Sequence, residues 1–248
     1  MRLLWDNKAD GPTLSANSAA NNYAVANLLD WQAAKCWRAN SANAEWVMID
    51  AGANNTISAT ACGIVQHNWG ANGTYLLQGN NTDSWGSPGL NQNLARVSGI
   101  ITQAFNNAAY RYWRLLIDDD TNTDGYVKAG YFYLGDYYQF TDAPTRDFPL
   151  AYDDSSTKWT SKTGQEFVNE GVVNRRYSFQ WPYIINAGRL AIEEIYDEIK
   201  QSRPMIVIPD ENNLTALPPR FMRLAEPPAW NHLIAYNWNL TLSFKEQL

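Results

Sequence analysis

Along the first 140 residues the apolar positions come in short runs, and the connections between them are rich in Asn, Gly, Ser and Asp. That texture predicts many short strands joined by turns, the pattern of a sandwich or barrel. Strands are expected at 45–50, 61–66, 75–78 and 111–117. In the last of these, Tyr112, Arg114 and Leu116 alternate with Trp113, Leu115 and Ile117, so the two sets face opposite sides of a sheet. A further strand at 127–134 follows the acidic, glycine-ended stretch 118–125, and this spacing predicts a hairpin between the two strands.

The texture changes after 141–147, where a proline, small polar residues and two acids mark the expected linker. Beyond it, strands are expected at 148–152 and 172–181, followed by a helix at 187–200. In that helix Leu190, Ile192, Ile195, Tyr196 and Ile199 recur near the spacing of a buried stripe. Glu193, Glu194, Asp197, Glu198 and Lys200 take the other face. Pro204 ends the helix, and 205–209 reads as a short buried strand. The stretch 235–244 alternates strictly, with Tyr236, Trp238, Leu240, Leu242 and Phe244 on one face. The expected fold class is therefore mainly β, in two domains, 1–142 and 143–248, with no repeat between them.

Composition narrows the function. A hydrophobic fraction of 45% with 18% charged residues is that of a globular chain. Eleven Trp and fourteen Tyr favour pleated surfaces and protein interfaces. A net charge of −6 argues against a polyanionic partner, so no nucleic-acid sequence recognition is expected. Met1 to Lys8 meets charge before an apolar segment forms, and no run of about 18 apolar residues follows. The expectation is a chain that is neither secreted nor inserted in a membrane. Cys36 and Cys62 make neither a disulfide framework nor a zinc cluster; buried free thiols are the favoured reading and a pair is the other.

Candidate chemistry is sparse. His67 and His232 lie in different halves, and no nucleophile elbow accompanies them, so no catalytic residue and no enzyme activity is expected. Consecutive carboxylates at Asp118, Asp119 and Asp120 point alternately, which disfavours an acid/base pair. Asp120, Asn122 and Asp124 match the first half of a calcium loop, but its twelfth position is Tyr131 rather than Glu. A polar turn outweighs calcium there, and no metal or cofactor is expected. Trp69 and Trp85 sit in glycine-rich stretches that read as exposed loops; capping the end of the sandwich or a subunit contact is the favoured reading there, and stacking on a glycan is the other.

Several stretches in order resemble the discoidin or galactose-binding-like jelly roll. They are 23–30 (YAVANLLD), 46–52 (WVMIDAG), 75–80 (YLLQGN) and 111–115 (RYWRL), covering about 120 residues. The run 112–135, from YWRLLIDD through DGYVKAGYFYLG, resembles tail-associated proteins of phages. Residues 147–248 are similar in outline to distal-tail hub domains, which are β-sandwiches with one flanking helix, here at about 187–200. In that family the hub precedes the carbohydrate-module-like domain, and here the order is reversed. The resemblance implies a structural component of a bacteriophage tail tip or baseplate, located in the virion tail and made in the host cytoplasm. It would form a symmetric ring, six copies being one option, with other tail proteins and copies of itself as partners. The alternative is a carbohydrate-binding module contacting host-surface glycans.

Overall fold

The computed structural model describes residues 1–145, 149–234 and 237–247. The chain is mainly β, built from antiparallel sheets with one α-helix among the described residues. In chain order the first strands are β1 (Arg2–Leu4), β2 (Thr13–Ala16), β3 (Trp37–Arg38), β4 (Glu45–Asp50), β5 (Ile57–Val65), β6 (Thr74–Asn80), β7 (Leu90–Asn93), β8 (Ile101–Tyr110), β9 (Tyr112–Asp118), β10 (Lys128–Ala129), β11 (Tyr131–Gly135) and β12 (Tyr138–Gln139). There follow β13 (Leu150–Asp154), β14 (Thr157–Thr160), β15 (Glu166–Asn169), β16 (Val173–Ile185), α1 (Asn186–Ile199), β17 (Met205–Ile208), β18 (Arg220–Leu224), β19 (Ala229–Ile234) and β20 (Asn237–Glu246). Two compact units result: Arg2–Gln139 with Ile206–Phe221, and 140–205 with Met1 and 222–247.

The first unit is a sandwich. One sheet has the order β2-β4-β9-β6-β7 and the other β11-β5-β8. Alternation along the strands builds the space between them. Val47 and Ile49, Tyr75 and Leu77, and Trp113, Leu115 and Ile117 point inward and are buried, with Ile57, Ile64, Ile101, Phe132 and Leu134 in the same core. The Trp113 indole satisfies its N–H by donating to the Ile57 carbonyl at 3.1 Å. A second cluster joins Ala61, Val65, Tyr131 and Tyr133 to Leu4, Ile206, Ile208 and Phe221. Gly63 packs closely in this contact, and a Cβ there would displace the end of the Ile206 side chain.

The hairpin expected around 118–125 does not form. β9 is already paired on both edges, with β4 and with β6, so neither edge can take a hairpin partner. The chain instead leaves the five-stranded sheet; β10 pairs with β3 and β11 with β5. Gly125, at φ +71, makes the turn that a side chain would strain.

In the second unit β16 pairs with β13 and β20, while β18 and β19 also lie against β20. Phe179, Trp181, Leu240, Leu242 and Phe244 are buried with Ile192, Ile195 and Ile199 of α1. Leu190, expected in the same stripe, is 51% exposed. At about 100° per residue it lies across the helix from Ile192. The strand beginnings expected at Phe148 and at Ala235–Tyr236 fall outside the described residues, as do Arg146 and Asp147 of the expected linker. β14 and β15 form a separate two-stranded hairpin whose eight residues are all exposed.

Candidate functional site

The face of the five-stranded sheet turned away from the core carries rows fixed by strand register. One row runs Asp50, Tyr112, Asn80; the next Ser15, Met48, Arg114, Gln78, Asn91; the third Trp46, Leu116, Leu76, Asn93. Residues directly opposite in an antiparallel pair share a face, so each row is a line of neighbouring side chains.

The middle row is the most ordered. Gln78 is only 4% exposed. Its oxygen accepts from Arg114 Nε at 2.9 Å and Nη2 at 2.6 Å, and its Nε2 donates to Asn91 Oδ1 at 3.0 Å. The guanidinium so fixed lies 4.3 Å from the ring centre of Trp85. The Trp85 Nε1–H donates to Asp83 Oδ1 at 2.8 Å. Burial lowers the Arg114 pKa from its ordinary value, and the nearby Asp83 carboxylate opposes the shift. The first row repeats the motif. Arg111 binds Asp50 through Nε at 2.8 Å and Nη2 at 3.0 Å and lies 4.6 Å from the centre of the Tyr112 ring. Arg111 holds the Asp50 carboxyl below its ordinary value. The surface thus offers planar rings, fixed donors and uncharged amides, with a carboxylate near each cation.

Trp85 is half-buried at this face. Trp69 is not exposed, contrary to expectation: it is 1% exposed and belongs to the sandwich core. Its ring stacks on Tyr75 with centres 4.7 Å apart. The loop is drawn inward because Gly70 N–H donates to buried Asp119 at 2.7 Å and the Tyr75 hydroxyl donates to the Gly70 carbonyl at 2.8 Å.

The proposed calcium-loop residues serve the turn itself. Asn122 donates to Asp119 at 2.8 Å and to the Asn68 carbonyl at 3.0 Å, while its own oxygen accepts from Asp124 N–H. Asp124 accepts from Asn68 at 2.9 Å, and Asp120 is exposed. The described residues hold no group of three or more His, Cys, Asp or Glu arranged for a metal.

His67 accepts from Trp69 N–H at Nδ1, 3.2 Å away, and faces the Val97 carbonyl with Nε2 at 3.1 Å. Both nitrogens are used when the ring is neutral with its proton on Nε2. Burial, reinforced by Arg96, brings its pKa down to about 4. His232 lies in the other unit, its ring 4.7 Å from Trp238. Cys36 and Cys62 are free thiols. Burial pushes the Cys62 thiol up to about 12, leaving it protonated and a poor nucleophile at neutral pH. A cavity of about 80 Å³ in the sandwich unit is lined by Arg2, Leu4, Ala61, Tyr137 and Ile208 among others. Arg2 is already engaged there by Glu211 and the Tyr137 ring.

Alternation in the sequence already turns Tyr112, Arg114 and Leu116 the same way; that Trp46 shares their face is set by the register of β4 on β9. Nothing local signals that Gln78 and Asn91 stand beside Arg114, because only pairing across strands brings them there.

No protein-family model and no curated protein matches the chain. Among solved structures the chain is similar to a chitosan-binding module from a chitosanase/glucanase of Paenibacillus sp. IK-5, at 17% identity and TM-score 0.40, over 52% of this chain and 98% of that one. It is similar to the Clostridium perfringens module CpGH89CBM32-5 in complex with GalNAc-β-1,3-galactose, at 11% identity and TM-score 0.43, over 54% and 99%. It is also similar to the lectin domain of lectinolysin complexed with Lewis B antigen, at 13% identity and TM-score 0.42, over 52% and 95%.

Proposed function

We propose that this chain is a non-catalytic saccharide-binding protein whose site is the outward face of the five-stranded sheet around Trp85. The observation that carries the reading is the half-buried Trp85 ring set against a guanidinium that buried Gln78 holds in place. A fixed ring receives the apolar face of a sugar, and preorganised donors and amides beside it receive hydroxyls at little entropic cost. No bond is made or broken in this function. The test is a glycan array followed by titration of the best binder. Trp85→Ala is expected to weaken binding about tenfold or more with the melting temperature unchanged. Equal affinity of the variant would remove this face from the function.

A second reading is a structural component of a phage tail tip or baseplate, and a different observation favours it. The second unit exposes Tyr152, Trp159, Phe167, Val168, Val172 and Val173 in and around the β14–β15 hairpin. Apolar surface of this kind on a soluble chain marks a contact with another protein. Peptide mass spectrometry of gradient-purified particles tests it; a chain that never co-sediments with virions is not a tail component. The two readings are compatible, since a virion protein can hold a glycan with one unit and its neighbours with the other.

A further inference from the structure

We infer that the site takes an internal stretch of a linear, uncharged glycan chain, laid along β9, with Trp46 as a second stacking position. The inference rests on the saccharide-binding reading and specifies its ligand.

Tyr112, Arg114 and Leu116 are successive outward positions on β9. The aromatic groups attached to their rows are Tyr112 itself, Trp85 above Arg114, and Trp46 directly across from Leu116. At about 3.4 Å per residue, Tyr112 and Leu116 are roughly 14 Å apart. That is longer than a single pyranose ring. A site built to cap one terminal sugar concentrates its groups at one point. Here they are spread over three rows, and Trp46 remains partly exposed, as Trp85 and Tyr112 do.

Charge selects among chains. Arg111 is neutralised by Asp50 through two hydrogen bonds. Arg114 is held by a neutral amide, and Asp83 acts on it from beside Trp85. Along the face each cation thus has a carboxylate near it. The other polar groups in the rows are mostly amides, Gln78, Asn80, Asn91 and Asn93. Such a surface exchanges hydrogen bonds with hydroxyls, and a polyuronate would find no uncompensated cation to balance its charge.

The test is calorimetric titration of the full chain with three probe pairs: monomers and hexamers of β-1,4-linked glucose, N-acetylglucosamine and galacturonic acid. At least one neutral hexamer is expected to bind about tenfold or more tighter than its monomer, a gain beyond the statistical one, and the galacturonate hexamer to bind no better than its monomer. Trp46→Ala is expected to remove the chain-length gain, and Trp46→Tyr, which keeps a ring, to restore most of it. Trp85→Ala weakens monomer and hexamer alike. Circular dichroism melts of both Trp46 variants separate loss of stacking from loss of fold. If monomer and hexamer bind equally, or Trp46→Ala leaves the gain intact in a folded protein, the extended site is wrong and the saccharide reading stands. If the galacturonate hexamer binds best, the uncharged ligand is wrong. If neither these probes nor the glycan array yields a binder, the saccharide reading itself fails.

Discussion

Trp69 and Trp85 occupy similar glycine-rich stretches and end in different environments. Trp69 is a core residue, so Trp69→Ala is expected to destabilise the sandwich by about 3–5 kcal/mol, as other large-to-small core substitutions do. Urea unfolding monitored by circular dichroism would measure it. Binding at neutral pH should survive in whatever fraction remains folded. His67, two residues away, contributes a pH dependence. Its pKa is about 4 in the folded chain and ordinarily 6.5. Between those values the unfolded state binds the proton more readily, so stability is complete above about pH 6.5 and falls as pH drops toward 4. The physical event is protonation of Nδ1, which puts a proton against the Trp69 N–H it had accepted. A loss on the order of 1–3 kcal/mol is expected between pH 7 and pH 4.5. His67→Asn should flatten that part of the urea-midpoint profile; an unchanged slope would assign the loss to other groups.

Among the elements, β9 is the strand whose sequence and structure agree most closely, because it alternates a core-facing set with an outward-facing one. β8 carries no strand signal in its sequence. Its sequence, Ile101 to Tyr110, is rich in Ala and Asn, so neither propensity nor alternation signals a strand. It exists because β5 supplies hydrogen-bond partners along most of its length. The β14–β15 hairpin is silent in the sequence for a related reason: its strand residues are all exposed. Trp159 and Phe167 stack with ring centres 5.4 Å apart, yet both remain exposed. A lone two-stranded hairpin is marginal in water, so this one is expected to gain stability from a protein contact. Replacing Trp159 and Phe167 together by Ser should lower any self-association seen by light scattering while leaving the unfolding free energy within about 1 kcal/mol of the parent. Persistence of the same oligomer would place the contact elsewhere.

For the whole molecule, composition and periodicity are enough to state a mainly β chain, the α-helix with Ile192, Ile195 and Ile199 inward, a strand at 45–50 and the alternating faces of 111–117. These follow from local rules: each requires only the spacing of apolar residues along one segment and the water that segment must avoid. The turn chemistry of 118–125 is legible for the same reason, since Asp, Asn and Gly close it through their own side chains and backbone freedom. Which sheet follows that turn is not a local property. It depends on β4 and β6 having filled both edges of β9, and the β4–β9 pairing joins residues more than sixty positions apart. Tertiary structure alone also decides that Trp69 is core and Trp85 is surface, because the difference comes from Asp119 drawing one loop inward. The candidate site is the sum of such decisions. Arg114 shares the face of Tyr112 and Leu116 by the alternation of its own strand, but register placed Gln78 beneath Arg114, Asn91 beyond it and Trp46 across from Leu116, through hydrogen bonds between chain segments that the order of residues does not announce.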